Sequence, residues 1–272
     1  MPIRRQLRSF WWFREGRIGG MGRPGFNRCH WFDLPFEEGL LLSWLGKQHL
    51  PAPAVHDLWA YLESYGPKVA MYYGLTPDMA RDRLAPLRER AALLHLAERM
   101  NAKTGIFDEV AWVAGPVAPA LRLVPSVQQR QHEVAVLKQH QVHVLISLLE
   151  QPLDYPELCN DFEMHHVPVE DVTPPGRHQV YVFADTLARA LAAEKTVVTH
   201  CLAGIGRTTT MLLAAYLLHG YALRDLATWV RVRNPHFVFR GSQAEFLQEL
   251  ATDVRTGRIP LMGVERQLPL CQ

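Results

Sequence analysis

The chain has 272 residues, 48% hydrophobic and 21% charged, a balance that suits a globular protein with a sizeable core and excludes a disordered or fibrous chain. Its 29 basic and 27 acidic residues leave a formal net charge of +2, so electrostatics gives no case for a nucleic-acid or anionic-membrane partner. Four cysteines, at 29, 159, 201 and 271, have no Cys-x-x-Cys spacing, which argues against a zinc site and a disulfide framework and makes a reducing, cytoplasmic setting the expectation.

Residues 1–28 open with the aromatic cluster Phe10-Trp11-Trp12-Phe13, too short for a signal-peptide core, and continue into a Gly-rich stretch from Gly16 to Gly25. The pattern predicts a strand followed by a structural turn. Residues 33–108 read as mainly helical. Residues 55–62 carry apolar side chains at three-to-four-residue spacing, and Thr76-Pro77-Asp78 is a helix start with a hydroxyl cap and proline at the first helical position. That helix is predicted to run from Pro77 to about residue 100 with a kink at Pro86. No run approaches the roughly eighteen apolar residues of a membrane span.

From residue 109 the pattern becomes α/β. Residues 110–115 read as a strand, 126–139 as a helix, 142–148 as a buried strand, 162–169 as a strand, 179–193 as a helix and 196–199 as a strand. Helices are predicted over 209–218, 222–233 and 242–254, the last with a capping box from Ser242 to Glu245. Strands alternating with helices predict a three-layer α/β fold with a largely parallel central sheet, and a site at the carboxyl ends of its strands. Two domains are expected, 1–108 as a helical extension and 109–272 as the catalytic domain.

The segment that carries chemistry is His200-Cys201-Leu202-Ala203-Gly204-Ile205-Gly206-Arg207-Thr208, between a β-branched strand and an apolar helix. The start of a helix suits an anion, because its first N–H groups have no intrahelical acceptor and the dipole places partial positive charge there. Gly204 and Gly206 let Leu202, Ala203, Gly204, Ile205 and Gly206 turn their N–H groups inward around a phosphoryl group, and Arg207 can take two of its oxygens with its planar fork. A thiol at a helix start beside cations ionises readily, so Cys201 is expected to be a thiolate and a nucleophile. Thr208 is placed to donate a hydroxyl to it, and His200 to orient the loop through its ring. Cysteine with arginine six residues on is a weak pattern alone; the nonamer in its strand–helix context is what sharpens it against an inert buried cysteine.

This nonamer closely resembles the His-Cys-x5-Arg-Ser/Thr signature of the protein tyrosine phosphatase superfamily, which implies a phosphocysteine mechanism with no metal and no cofactor. The resemblance extends over roughly residues 110–250 and points to the compact dual-specificity branch. Ile146-Ser147-Leu148 with Glu150 resembles the strand and turn before the acid loop of those domains. Val167-Pro168-Val169-Glu170-Asp171, followed by Pro174-Pro175, resembles the acid loop itself, which implies Asp171 as general acid and leaves Glu170 as the rival carboxylate. Gln243 loosely resembles a residue that positions the hydrolytic water.

Both Trp12–Pro24 and Trp112–Pro125 resemble the opening strand and turn of such domains. The second is expected to fill that place, because the first would need a long insertion. No segment resembles the tyrosine-recognition loop of the strictly tyrosine-specific members, which implies a shallower pocket and broader choice among phosphorylated proteins or small phosphomonoesters. The same loop could serve a phosphoinositide or nucleotide phosphatase, although Leu202 and Ile205 stand where lipid-directed members often carry lysine. An RNA 5′-phosphatase would call for a basic groove, and a phospho-binding module without turnover stays open as a non-enzymatic alternative.

Overall fold

The computed structural model describes residues 3–29, 33–47, 55–113, 120–153, 156–237, 239 and 241–262. A short helix α1 (Ile3–Gln6) precedes an antiparallel hairpin of β1 (Trp11–Arg14) and β2 (Ile18–Met21). Helices α2 (Phe36–Lys47), α3 (Val55–Val69), α4 (Pro77–Leu84) and α5 (Arg90–Thr104) follow, then β3 (Phe107–Val113), β4 (Ala120–Pro125) and α6 (Val127–Gln139). The remainder alternates: β5 (Val142–Ser147), α7 (Pro156–Asp161), β6 (Glu163–His166), α8 (Arg177–Ala192), β7 (Thr196–His200), α9 (Gly206–Leu218), α10 (Leu223–Arg233) and α11 (Ser242–Arg255). No helix among the described residues is long and apolar enough to cross a membrane.

The chain forms two compact units, residues 1–23 with 134–272 and residues 24–133. This differs from the expected division at 108/109, and the hairpin is the reason. In the first unit a five-stranded sheet runs in the order β1-β2-β7-β5-β6, with β2, β7, β5 and β6 mutually parallel and only β1 antiparallel, and helices flank it. The opening hairpin is therefore built from residues 11–21, not from the expected 112–125. It is the insertion, 24–133, that separates it from the rest of its sheet. The 112–125 region instead forms a separate two-stranded antiparallel sheet of β3 and β4 in the second unit, part of the expected strand at 114 and 115 lying outside the described residues.

The Gly-rich stretch expected as a turn holds the fully buried strand β2. Its glycines are explained by close approach rather than by turning. A Cβ on Gly19 would lie 2.7 Å from the Phe10 ring, and one on Gly20 2.5 Å from the Trp11 ring. Aromatic rings thus cover bare backbone that would otherwise be a gap in the sheet. Register places Gly20 beside Thr199 and Met21 beside His200, so β2 flanks the strand that ends in the cysteine loop.

Each unit has its own apolar core. In the first, Phe13, Ile18, Ile146, Val197 and Phe183 pack with α9, whose residues 207–218 are all buried. In the second, Phe36, Leu40, Trp44, Leu93, Leu96 and Met100 pack with Leu121 and Leu123. The single helix predicted from Pro77 to about residue 100 is instead two, since Pro86 ends α4 rather than kinking it: a 3-10 turn at Ala85–Arg88 and the extended Glu89 intervene before α5. Thr76 caps α4 by accepting from the Met79 N–H at 3.2 Å. The predicted capping box of α11 is not formed, because Gly241, at φ 70°, is the N-cap and Ser242 is the first helical residue.

The insertion is closed at its neck by one carboxylate. Glu133 is fully buried and accepts from Gly25 N–H at 2.8 Å, Asn27 N–H at 2.9 Å, Asn27 Nδ2 at 2.8 Å and Gln129 Nε2 at 3.0 Å. Burial pushes its pKa up, but all four partners are donors, which only the ionised form satisfies.

Candidate active site

The cysteine loop connects the end of β7, buried on both sides between β2 and β5, to the start of α9. Cys201 and Leu202 are buried, as are Gly204 and Arg207. Gly204 takes φ 73°, and a Cβ there would lie 2.4 Å from the Met21 backbone, so no other residue fits without moving β2. Gly204 carbonyl accepts from Trp11 Nε1 at 2.9 Å and from Asn234 Nδ2 at 3.3 Å, and the Leu202 carbonyl accepts from the Arg23 N–H at 2.9 Å. Two of its carbonyls are thus tied to β1, the β2 exit and the residue after α10, which fixes the course of the loop.

Arg207 stands in the first turn of α9 with its side chain 2% exposed. Nη1 donates to Glu150 Oε2 at 2.9 Å and to the Val169 carbonyl at 2.9 Å, and Nη2 lies 3.1 Å from Asp171 Oδ1. Burial works against the charge, but Asp171, Cys201 and Glu150 outweigh it and raise the arginine pKa further. Asp171 and Glu150 therefore meet at one guanidinium, with Cys201 near enough to act on its charge. Glu170, the rival acid, is exposed and makes no ion pair among the described residues.

The acid loop is fastened at several points. Val167 and Val169 N–H groups donate to the Ser147 and Leu148 carbonyls at 2.9 and 3.2 Å, extending the β5 edge. The Asp171 N–H donates to Glu150 Oε1 at 3.0 Å, and Gln179 Nε2 donates to the Pro168 carbonyl. Val172 follows the acid at φ 58°, a left-handed conformation that costs a β-branched residue about 1–3 kcal/mol. Contacts from α11 hold it there: Ser242 Oγ donates to the Val172 carbonyl at 3.4 Å and Gln243 Nε2 to the Thr173 carbonyl at 3.0 Å. Gln243 Oε1 accepts from Thr210 Oγ1 at 3.3 Å and would lie 3.0 Å from a Cβ on Gly206. Gln243 is thus beside the cysteine loop, with its amide engaged by the acid loop and α9.

Two expected contacts are not formed. Thr208 Oγ1 is buried without a hydrogen-bond partner among the described residues, so the bond to the Cys201 sulfur is absent here. His200 is fully buried and neither ring nitrogen makes a well-formed hydrogen bond, so its ring does not anchor the loop as expected. Desolvation pushes its pKa down to about 3; the Arg23, Arg207 and His166 charges add to this, and a contact with the Cys201 backbone opposes it weakly. Buried polar atoms of Thr199, His200, Arg207 and Thr208 without well-formed partners lie in or beside this loop. Cys159 is an exposed free thiol, and Cys271 lies outside the described residues.

Sequence reasoning missed Glu150 as a partner of Arg207, and missed Trp11 and Asn234 altogether as supports of Gly204. Glu150 was visible only as part of a family-like turn. Trp11 lies 193 residues from its acceptor in sequence, a separation that no local pattern reveals.

Residues 123–221 match the family model described as "Polymorphic toxin system, DSP-PTPase phosphatase". The chain is 32% identical over 156 residues to the dual specificity protein phosphatase CDC14C of Homo sapiens, covering 56% of this chain and 34% of that one, so it spans about a third of the relative's length. Among solved structures, Tk-PTP in the active form is 26% identical with a TM-score of 0.42, covering 46% of this chain and 87% of that chain. DUSP15 is 22% identical with a TM-score of 0.41, covering 47% and 83%.

Proposed function

We propose that the chain, whose residues 123–221 match a dual-specificity phosphatase family model, is a cysteine-dependent protein phosphatase of the protein tyrosine phosphatase superfamily that hydrolyses phosphotyrosine and phosphoserine or phosphothreonine esters. The observation that carries this reading is the meeting of the Cys201 loop, Arg207 and Asp171 in one largely buried cluster at the end of a central strand.

In this mechanism the Cys201 thiolate attacks phosphorus in line with the leaving oxygen. A sulfur–phosphorus bond forms as the oxygen–phosphorus bond breaks, giving a phosphocysteine. The N–H groups of residues 202–206 and the Arg207 guanidinium hold the three equatorial oxygens, which gather charge in the transition state. Asp171 gives its proton to the leaving oxygen and then accepts one from the water that cleaves the intermediate. The Thr208 hydroxyl turns toward the sulfur when the thiolate is expelled. Gln243, against Gly206, helps place that water while its amide supports the acid loop. Phosphorylated proteins are the proposed substrates and the cytoplasm the proposed setting. Leu202 and Ile205, in place of loop lysines, disfavour a phosphoinositide.

Cys201→Ser tests the proposal. It should abolish hydrolysis of phosphotyrosine peptide and aryl phosphate while still binding tungstate. The unaltered protein should be blocked by vanadate and indifferent to chelator. Full activity in Cys201→Ser, or loss of activity in chelator, overturns it.

A further inference from the structure

The indole of Trp11 crosses from β1 to the cysteine loop over a bare stretch of β2. Trp11 pairs with Gly20 in the hairpin, and a Cβ on Gly20 would lie 2.5 Å from the nearest ring carbon and 2.8 Å from Nε1. Glycine there lets the ring lie against the backbone. The buried side chain then reaches the loop, where Nε1 donates to the Gly204 carbonyl at 2.9 Å. Asn234 Nδ2 reaches the same carbonyl at 3.3 Å but is shared with Thr209 Oγ1 at 3.0 Å, so the indole makes the shorter bond. An indole N–H donates and cannot accept, and a rigid bicyclic ring fixes the direction of the oxygen that it meets.

A trans peptide is planar and points its C=O and the following N–H to opposite sides. Turning the Gly204 carbonyl toward Trp11 therefore turns the Ile205 N–H away from it. The Leu202 carbonyl, held by the Arg23 N–H at 2.9 Å, does the same for the Ala203 N–H. Neither of these two N–H groups has an acceptor among the described residues. We propose that Trp11 is a positioning residue that aims the Ile205 N–H at the phosphoryl group. The proposal rests on the phosphocysteine reading above, in which the loop N–H groups hold the equatorial oxygens. Gly204, at φ 73°, has the backbone freedom to let this peptide rotate, and rotation would set a carbonyl oxygen against the anion in place of a donor. The Trp11 bond holds that oxygen on the far side. A strand 193 residues away in sequence thereby sets the polarity of the loop without touching substrate.

The test removes the indole N–H and little else. Trp11 alone is replaced, through a reassigned stop codon, by β-(3-benzothienyl)alanine, which keeps the fused ring and carries sulfur in place of N–H; Trp11→Phe is run beside it. In both, kcat/KM should fall about tenfold, less than the roughly 10²–10³ lost with a whole oxyanion donor, because Asn234 still reaches the carbonyl. The loss should be equal for phosphotyrosine and for an aryl phosphate with a low-pKa phenol, since the N–H grips phosphoryl oxygens and not the leaving group. Tungstate, measured in the Cys201→Ser background, should bind correspondingly more weakly. In protein labelled with [15N]isoleucine, tungstate should move the Ile205 amide proton downfield, and by less once the indole N–H is gone. Unchanged kinetics and tungstate affinity in the benzothienyl protein overturn the proposal, and so does an Ile205 shift of the same size with and without the indole N–H, or a loss confined to phosphotyrosine. A lowered urea midpoint with unchanged kcat/KM also overturns it, by making Trp11 a packing residue alone. Failure of the phosphatase reading is separate, since it would appear as hydrolysis that survives Cys201→Ser.

Discussion

Asp171 is the residue whose role rests on the finest distinction, since Glu170 precedes it on the same loop. Only Asp171 approaches Arg207, at 3.1 Å, while Glu170 is exposed. Asp171→Asn is therefore expected to slow phosphotyrosine hydrolysis by roughly 10²–10⁴-fold and to flatten the alkaline limb of the pH profile, with Glu170→Gln close to wild type. A Gln variant at 170 that is hit harder than the Asn variant at 171 would reassign the acid. His200 gives a second, independent prediction, this one for stability. Its pKa is about 3 in the folded protein against an ordinary value near 6.5, so the unfolded chain takes up a proton that the native protein refuses. The associated stability is complete above about pH 6.5 and is lost as the pH falls toward about 3, at up to roughly 1.4 kcal/mol per pH unit. Half-buried His219, also shifted down by desolvation, acts with the same sign. Urea melts from pH 7 to pH 4 should show a shallower decline in His200→Asn than in wild type, and parallel slopes would show that His200 is not the group responsible.

Among the elements, those with strong periodicity or capping chemistry were readable in advance: the start of α4 at its Thr76 cap, α6, α8, β5 and β7 fall where the pattern puts them. The elements misread were those whose identity depends on a distant neighbour. β2 contains Gly19 and Gly20 and has poor intrinsic strand propensity, yet the Phe10 and Trp11 rings and the neighbouring β7 make it a buried strand. The α11 start was misplaced by one residue because Gly241 supplies the left-handed turn that a Ser cap would not need. In the site, the nonamer and Asp171 were legible because their chemistry is local, whereas Glu150, Trp11 and Asn234 act through contacts that folding creates. The Glu133 neck makes a prediction at this scale. Replacing Glu133 by Gln sets an NH2 against N–H donors in a buried setting and should cost about 2–5 kcal/mol, read from the urea midpoint. A loss below about 1 kcal/mol would show that the four bonds add little.

For the whole molecule, the insertion decides which truncations are tolerated. Starting the chain near residue 105 would remove β1 and β2, and with β2 the parallel partner of the strand that feeds the Cys201 loop. That variant should be unfolded. An internal deletion of residues 28–125, joining Asn27 to Ser126 through about six glycines, keeps the hairpin, the Glu133 bonds and the Ser126 cap of α6. Such a linker has a mean span of roughly 12–15 Å, comparable to the roughly 10 Å of helix between Ser126 and Glu133. It should fold and hydrolyse a small aryl phosphate, as judged by circular dichroism and kcat/KM. Loss of activity in a folded deletion variant would make the insertion part of the site rather than a passenger.

The 193 residues between Trp11 and its acceptor Gly204 also set an order of events during synthesis. The β1–β2 hairpin leaves the ribosome long before its hydrogen-bonding partner β7 and the loop it braces. At about 5–20 residues per second, the glycine-rich edge of β2 waits roughly 10–40 s before anything can pair with it. The insertion, complete by residue 133, has time to collapse on its own core in that interval, so the nascent chain carries a finished unit beside an open strand edge. The Cys201 loop is thus completed only when the end of β7 closes against a strand made long before it.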